Sequence, residues 1–201
     1  MDNNQPTRKD RQYRVMQQWE IRQAETDSEG LYVEGYALTF EQPTVMFEMD
    51  GLEYKEMIDR RSLLNSNLSD VIFNYNHGGK VMARTRNNTL ELNVDERGLH
   101  VRARLDGTEE GRKLYEEIRG GYIDRMSFSF TVAEERYDRE NRMRVIEGIK
   151  RIYDVSAVDI PAYDTTSISA RSFFEAEAER ERKALDSAEL RKKLLLRTFT
   201  F

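Results

Sequence analysis

Cysteine is absent from the 201-residue chain, and histidine occurs only at His77 and His100. The first absence excludes a disulfide framework and any thiol nucleophile. The second leaves too few imidazoles for a conventional zinc site of three protein ligands. No metal and no other cofactor are therefore expected, and only a site built wholly from carboxylates stays open. The GxxxxGK[ST] and GxGxxG loops that cradle phosphates are missing, as is the spacing of an EF-hand. Long apolar runs are missing too. No stretch approaches the roughly 20 apolar residues that cross a bilayer, and Met1-Asp2-Asn3-Asn4-Gln5-Pro6 lacks the apolar segment of a signal peptide. The expectation is an intracellular protein with no membrane partner. Positive charge is not in surplus either. The formal net charge is -5, and acidic neighbours offset the basic clusters at Arg8-Lys9, Arg60-Arg61 and Arg191-Lys192-Lys193. Without a basic stripe to neutralise phosphates, nucleic acid is not an expected partner.

What is present divides the chain in three: a polar, flexible arm over residues 1–17, one domain over 18–171, and a charged helical or disordered tail over 172–201. Residues 31–40 are rich in β-branched and aromatic side chains and read as a strand, as do 52–58. Asp59 is placed to cap a short helix over 60–64. Residues 71–75 return to strand and deliver Asn76-His77-Gly78-Gly79 at their end. Residues 89–94 and 99–105 read as a hairpin, with Gly98 at the turn position that favours φ > 0. Residues 106–119 form the clearest helix of the domain, with acidic residues at its start and Gly120-Gly121 at its end. A strand over 122–133 and one long or two shorter strands over 142–158 flank a polar tip at 138–141. From Ser172 onward, Ala, Glu, Arg, Lys and Leu dominate and favour a charged helix. Many short strands with few helices predict a mainly β fold with peripheral helices, an antiparallel barrel in architecture.

Acyl transfer needs an exposed hydroxyl or thiol, a base beside it, and a group that fixes the base's tautomer. His77, at a strand-to-loop junction beside two glycines, is a better base than His100, which strand alternation places on an outward polar face. In residues 126–130, Met126, Phe128 and Phe130 share one strand face while Ser127 and Ser129 share the other. Asp154 and Asp159 lie on opposite faces of a straight strand, so only one of them addresses the histidine. Each feature also has a plain structural reading as an ordinary strand residue.

Taken together, Asn76-His77, the stretch from Gly121 ending Met126-Ser127-Phe128-Ser129-Phe130, Asp154-Val155-Ser156 and Pro161-Ala162-Tyr163 resemble the signature of the prohead (capsid-maturation) serine proteases of tailed phages. Gly35-Tyr36-Ala37 with Phe40 is similar to that family's first strand, and the resemblance spans about residues 19–171. It implies a β-barrel of the herpesvirus-protease type, with Ser127 as nucleophile, His77 as base and Asp154 as orienting acid. His77 is followed by Gly78 where the family often has an acid, and Ser129 stands where a smaller residue is common. The resemblance further implies an endopeptidase that cuts scaffold segments from the major capsid protein, and then itself, inside the procapsid in the host cytoplasm. Self-association into a homo-oligomer is compatible with that setting. The alternatives are a non-catalytic capsid-assembly or scaffolding protein on the same fold, and a generic β-barrel binding module. Hydrogen-bond reach between Ser127 and His77, roughly 2.6 to 3.2 Å, favours the enzyme over the binding module.

Overall fold

A computed structural model describes residues 11–20, 22–23, 30–159 and 167–198. The first ten residues of the expected arm, the Pro161-Ala162-Tyr163 motif and the last three residues lie outside the described ones. The strands are β1 (Gln12–Glu20), β2 (Arg22–Gln23), β3 (Tyr32–Thr39), β4 (Thr44–Met49), β5 (Leu52–Ile58), β6 (Ile72–Tyr75), β7 (Gly78–Arg84), β8 (Leu90–Val94), β9 (Gly98–Arg104), β10 (Arg125–Asp138) and β11 (Met143–Val158). The helices are α1 (Glu109–Arg119) and α2 (Ser167–Thr198). The mainly β class holds, arranged as two sheets.

The larger sheet runs β1-β10-β11-β5-β4, with β6 paired to β11 and β7 to β6; the smaller runs β2-β3-β9-β8. Most pairings are antiparallel, but β11 runs parallel to both β5 and β6. The core lies where β10 faces the smaller sheet. Met126, Phe128 and Phe130 are fully buried there with Val33, Ala37, Leu99 and Val101, as their alternation predicts. Ser127 and Ser129, on the opposite face, are also fully buried. Their cover is the segment from residue 12 and the turn at His77, which strand alternation alone cannot show.

Three local expectations change. Residues 60–65 are consecutive turns, not a helix: Ser62 N, Leu64 N and Ser66 N each donate to the carbonyl three residues back. The Asp59 carboxylate accepts from Arg61 N at 2.7 Å, closing an Asx turn where a helix cap was expected. Helix α1 starts later than the pattern suggested, capped by the Thr108 side chain, which accepts from Gly111 N at 2.9 Å. Gly98 does not sit at positive φ; its missing side chain answers a close approach. A Cβ there would stand 2.0 Å from the Leu38 carbonyl oxygen, where Gly98 pairs with Thr39 at the end of the β3–β9 ladder. We expect Gly98→Ala to lower unfolding free energy by about 3 kcal/mol through overpacking against backbone, read as a lower urea midpoint at unchanged m-value.

The tail is helical and its beginning is docked. Phe174 is fully buried, its ring 5.7 Å from Tyr54 and 5.4 Å from Phe173, and Arg142 pairs with Glu181 at 3.4 Å. No helix among the described residues is long and apolar enough to cross a membrane.

Candidate active site

Strand register brings the chemistry-bearing residues into one row. Ser127 pairs with Ser156 and Ser129 with Asp154 across β10 and β11. Ser156 pairs in turn with Asn74 on β6. Cross-strand partners share a face, so three hydroxyls, a carboxylate and an amide gather on the side of the sheet away from the aromatic core.

His77 reaches this patch through a two-residue hairpin. Tyr75 pairs with Gly78, and the intervening Asn76 and His77 both have positive φ, 48° and 55°. Such a turn follows the right-handed twist of its strands, and Asn and His tolerate this backbone region better than most residues with a side chain. The turn is anchored by Asp159, whose carboxylate accepts from Tyr75 Oη at 2.5 Å and from Asn76 Nδ2 at 3.1 Å. The two aspartates thus divide as their opposite faces require: Asp159 holds the turn and Asp154 addresses the ring.

The imidazole bridges acid and hydroxyl. His77 Nδ1 stands 2.5 Å from Asp154 Oδ1, and His77 Nε2 stands 2.6 Å from Ser127 Oγ. That second distance is within the discriminating reach. Ser129 Oγ donates to Asp154 Oδ2. Ser156 Oγ lies 3.0 Å from His77 Nδ1 and 3.1 Å from Asp154 Oδ1, bonds Asn74 Oδ1, and accepts from His77 N at 3.2 Å. The Tyr13 ring packs edge-on to the imidazole, with centroids 4.7 Å apart. No role at the site was expected for Ser156, Asn74 or Tyr13. For Ser156 a signal existed: it lies two residues beyond Asp154, hence on the same strand face.

Burial raises the Asp154 carboxyl. The hydrogen bond and charge of His77, together with the Ser129 and Ser156 hydroxyls, outweigh this and hold it below its usual range. Burial likewise raises Glu56, and Arg14 and Arg144 more than reverse it. Groups depressed in the folded state stabilise the fold above their unfolded values, and this contribution is lost as pH falls through the folded ones. The melting temperature should therefore hold from neutral pH to about pH 5 and drop below about pH 4. Asp154→Asn should make that acid decline shallower in a calorimetric pH series.

The nucleophile has a neighbour on its other side. Val15 on β1 lies opposite Ser127, and Ser127 Oγ is 2.9 Å from the Arg14 carbonyl oxygen, which accepts from it. One hydroxyl proton cannot serve both this carbonyl and His77 Nε2, so the two acceptors compete for it. Among the described residues no cluster of His, Asp or Glu could hold a metal ion.

Residues 17–180 match the model of the Caudovirus prohead serine protease family. Among solved structures, the bacteriophage T4 capsid assembly protease, gp21, is similar at 19% identity over 75% of this chain and 99% of that chain, with a TM-score of 0.48. No curated protein matches in sequence.

Proposed function

This chain belongs to the Caudovirus prohead serine proteases, and from that premise we propose that Ser127 is its nucleophile, His77 its general base and Asp154 the acid that orients the imidazole. The observation that carries this reading is the continuous contact from Asp154 Oδ1 through both ring nitrogens to Ser127 Oγ, at 2.5 and 2.6 Å. Ser127 Oγ adds to the scissile carbonyl carbon while His77 Nε2 takes the hydroxyl proton and returns it to the leaving amine. Asp154 accepts from Nδ1–H, fixing the tautomer and stabilising the imidazolium. Water then hydrolyses the acyl-serine by the same proton path. The donors that stabilise the oxyanion are assigned to the loop beyond Asp154; residues 160–166 of that loop lie outside the described ones.

The substrates in this reading are scaffold segments of the major capsid protein and the chain itself, cut inside the procapsid in the host cytoplasm. The herpesvirus-type barrel belongs to the same proposal. So does a scaffold-recruiting role for the distal half of α2, whose described side chains from Lys183 onward are exposed. Self-processing is supported by the Arg14–Val15 peptide, which lies along β10 with its carbonyl on the nucleophile. In that pose the carbonyl oxygen accepts from Ser127 Oγ, so it is a resting arrangement that must turn before attack. Fully buried beneath this segment, Ser127 admits no other peptide until β1 leaves.

The test is intact-mass analysis of the chain co-expressed with its own capsid protein, wild type against Ser127→Ala. We expect products in the wild type that vanish in the variant. Equal cleavage in both would remove Ser127 from the role, and no cleavage in assembled shells would favour a scaffolding protein.

A further inference from the structure

The residue whose carbonyl rests on Ser127 sends its side chain inward, away from solvent. Arg14 is 3% exposed, unusual for an arginine, which normally keeps its head in water. Its Nε and Nη2 contact the two carboxylate oxygens of Glu56 at 2.5 and 2.7 Å, a fork-on-fork pair. Nη1 donates to its own strand at Tyr13 O, 2.8 Å, and Nη2 also meets Gln12 Oε1 at 2.9 Å. Glu56, on β5, is 4% exposed and is held from the other side by Arg144 Nη1 at 2.8 Å. Arg144 also pairs with Glu135.

From this geometry we propose that Glu56 is the floor of a pocket that selects arginine at the substrate position immediately before the scissile bond. The inference rests on Ser127 as nucleophile and on β1 as an occupant of the substrate's strand groove. Two arginines and two glutamates balance while β1 is in place. Once it leaves, Arg144 is shared between Glu56, which is buried, and Glu135, which is 35% exposed, and the Glu56 oxygen that Arg14 Nε held loses that partner. A guest guanidinium restores both charge and bidentate bonding. A lysine restores the charge through a point contact only, a glutamine leaves the charge unmet, and a glutamate adds repulsion. A small open recess beside the guanidinium is lined by Thr39, Thr44, Met46, Glu56 and Ile58 as well as Arg14 itself. Thr39 Oγ1 there is buried without a partner among the described residues. Glu56, Glu135 and Arg144 lie within the family-matched residues 17–180, whereas Arg14 precedes them. The receiving half of the contact is thus part of the family domain, and the guest half is not.

The test uses the full chain assembled with its capsid protein. It is offered peptides spanning residues 9–18 of this sequence, with Arg14 kept or replaced by Lys, Gln or Glu, and the Ser127→Ala protein is the control. We expect kcat/KM to fall about tenfold for lysine and on the order of 10²- to 10³-fold for glutamine and glutamate. Ser127-dependent products should begin at Val15. Glu56→Gln, where it folds, should narrow the arginine preference to less than about tenfold. Equal rates across the panel, still dependent on Ser127, would overturn the pocket and leave the nucleophile standing. Intact mass should also show the enzyme itself cut after Arg14, which frees the groove; absence of that cut together with no Ser127-dependent cleavage of any peptide would overturn both. The wild-type panel decides the matter even if the Glu56 variant does not fold.

Discussion

Replacing His77 with asparagine is expected to lower kcat by about 10⁴- to 10⁶-fold while leaving the protein folded. Asparagine is the informative substitution because position 77 has φ +55° inside a two-residue turn, and asparagine accepts that backbone with little strain. The pairing of Tyr75 with Gly78 and the Asp159 clamp on Tyr75 and Asn76 should survive. What is lost is the ring that spans from Asp154 to Ser127. An amide is too short to bridge both and cannot accept a proton near neutral pH. Asp154 would then stand with only the Ser129 and Ser156 hydroxyls. The measurement is single-turnover cleavage beside a urea melt. A rate within tenfold of wild type at unchanged stability would remove His77 from the chemistry; a large loss of stability with it would mean that the turn, and not the base, had been tested.

The three residues singled out by their sequence surroundings stand together because each belongs to a strand or turn with a strong local pattern. Met126, Phe128 and Phe130 fix which face of β10 is core, and hence where Ser127 and Ser129 point. The apolar residues 71–75 place His77 at a strand end. The choice of Asp154 over Asp159 was open from alternation alone, and register with Ser129 is what puts Asp154 beside the ring. The sequence hid whatever depended on distant pairing. Arg14 and Glu56 are 42 residues apart, and nothing local to either shows that they meet. Residues 12–17 read as an arm because they are polar, yet they form the first part of β1, with Arg14 neutralised by a partner supplied from β5. The parallel pairing of β11 with β5 and β6 is likewise non-local. Gly98 differs from expectation for a related reason: a turn residue at positive φ and a glycine pressed against the backbone of its paired strand look alike in one dimension.

The second large effect concerns stability. Glu56→Ala is expected to cost about 3–5 kcal/mol, because Arg14 and Arg144 are each 3% exposed and would face one another without their shared carboxylate. Removing one partner of a buried ionic group is costly chiefly through the charge left behind, so the size of the loss does not measure what the group contributes. Replacing all three residues with methionine should therefore recover most of it, leaving a fold within about 1 kcal/mol of wild type or more stable than it. The comparison separates two roles. If the triple variant is stable and still cleaves Ser127-dependently, but without regard to the residue before the cut, the cluster is kept for recognition and not for folding. If the triple variant is as unstable as the single one, packing at this site and not charge is what holds β1 to β5, and the electrostatic account of the pocket fails. A chemical-denaturation series on the wild type, Glu56→Ala and the triple methionine variant reads the first half of this comparison directly, and the peptide panel reads the second.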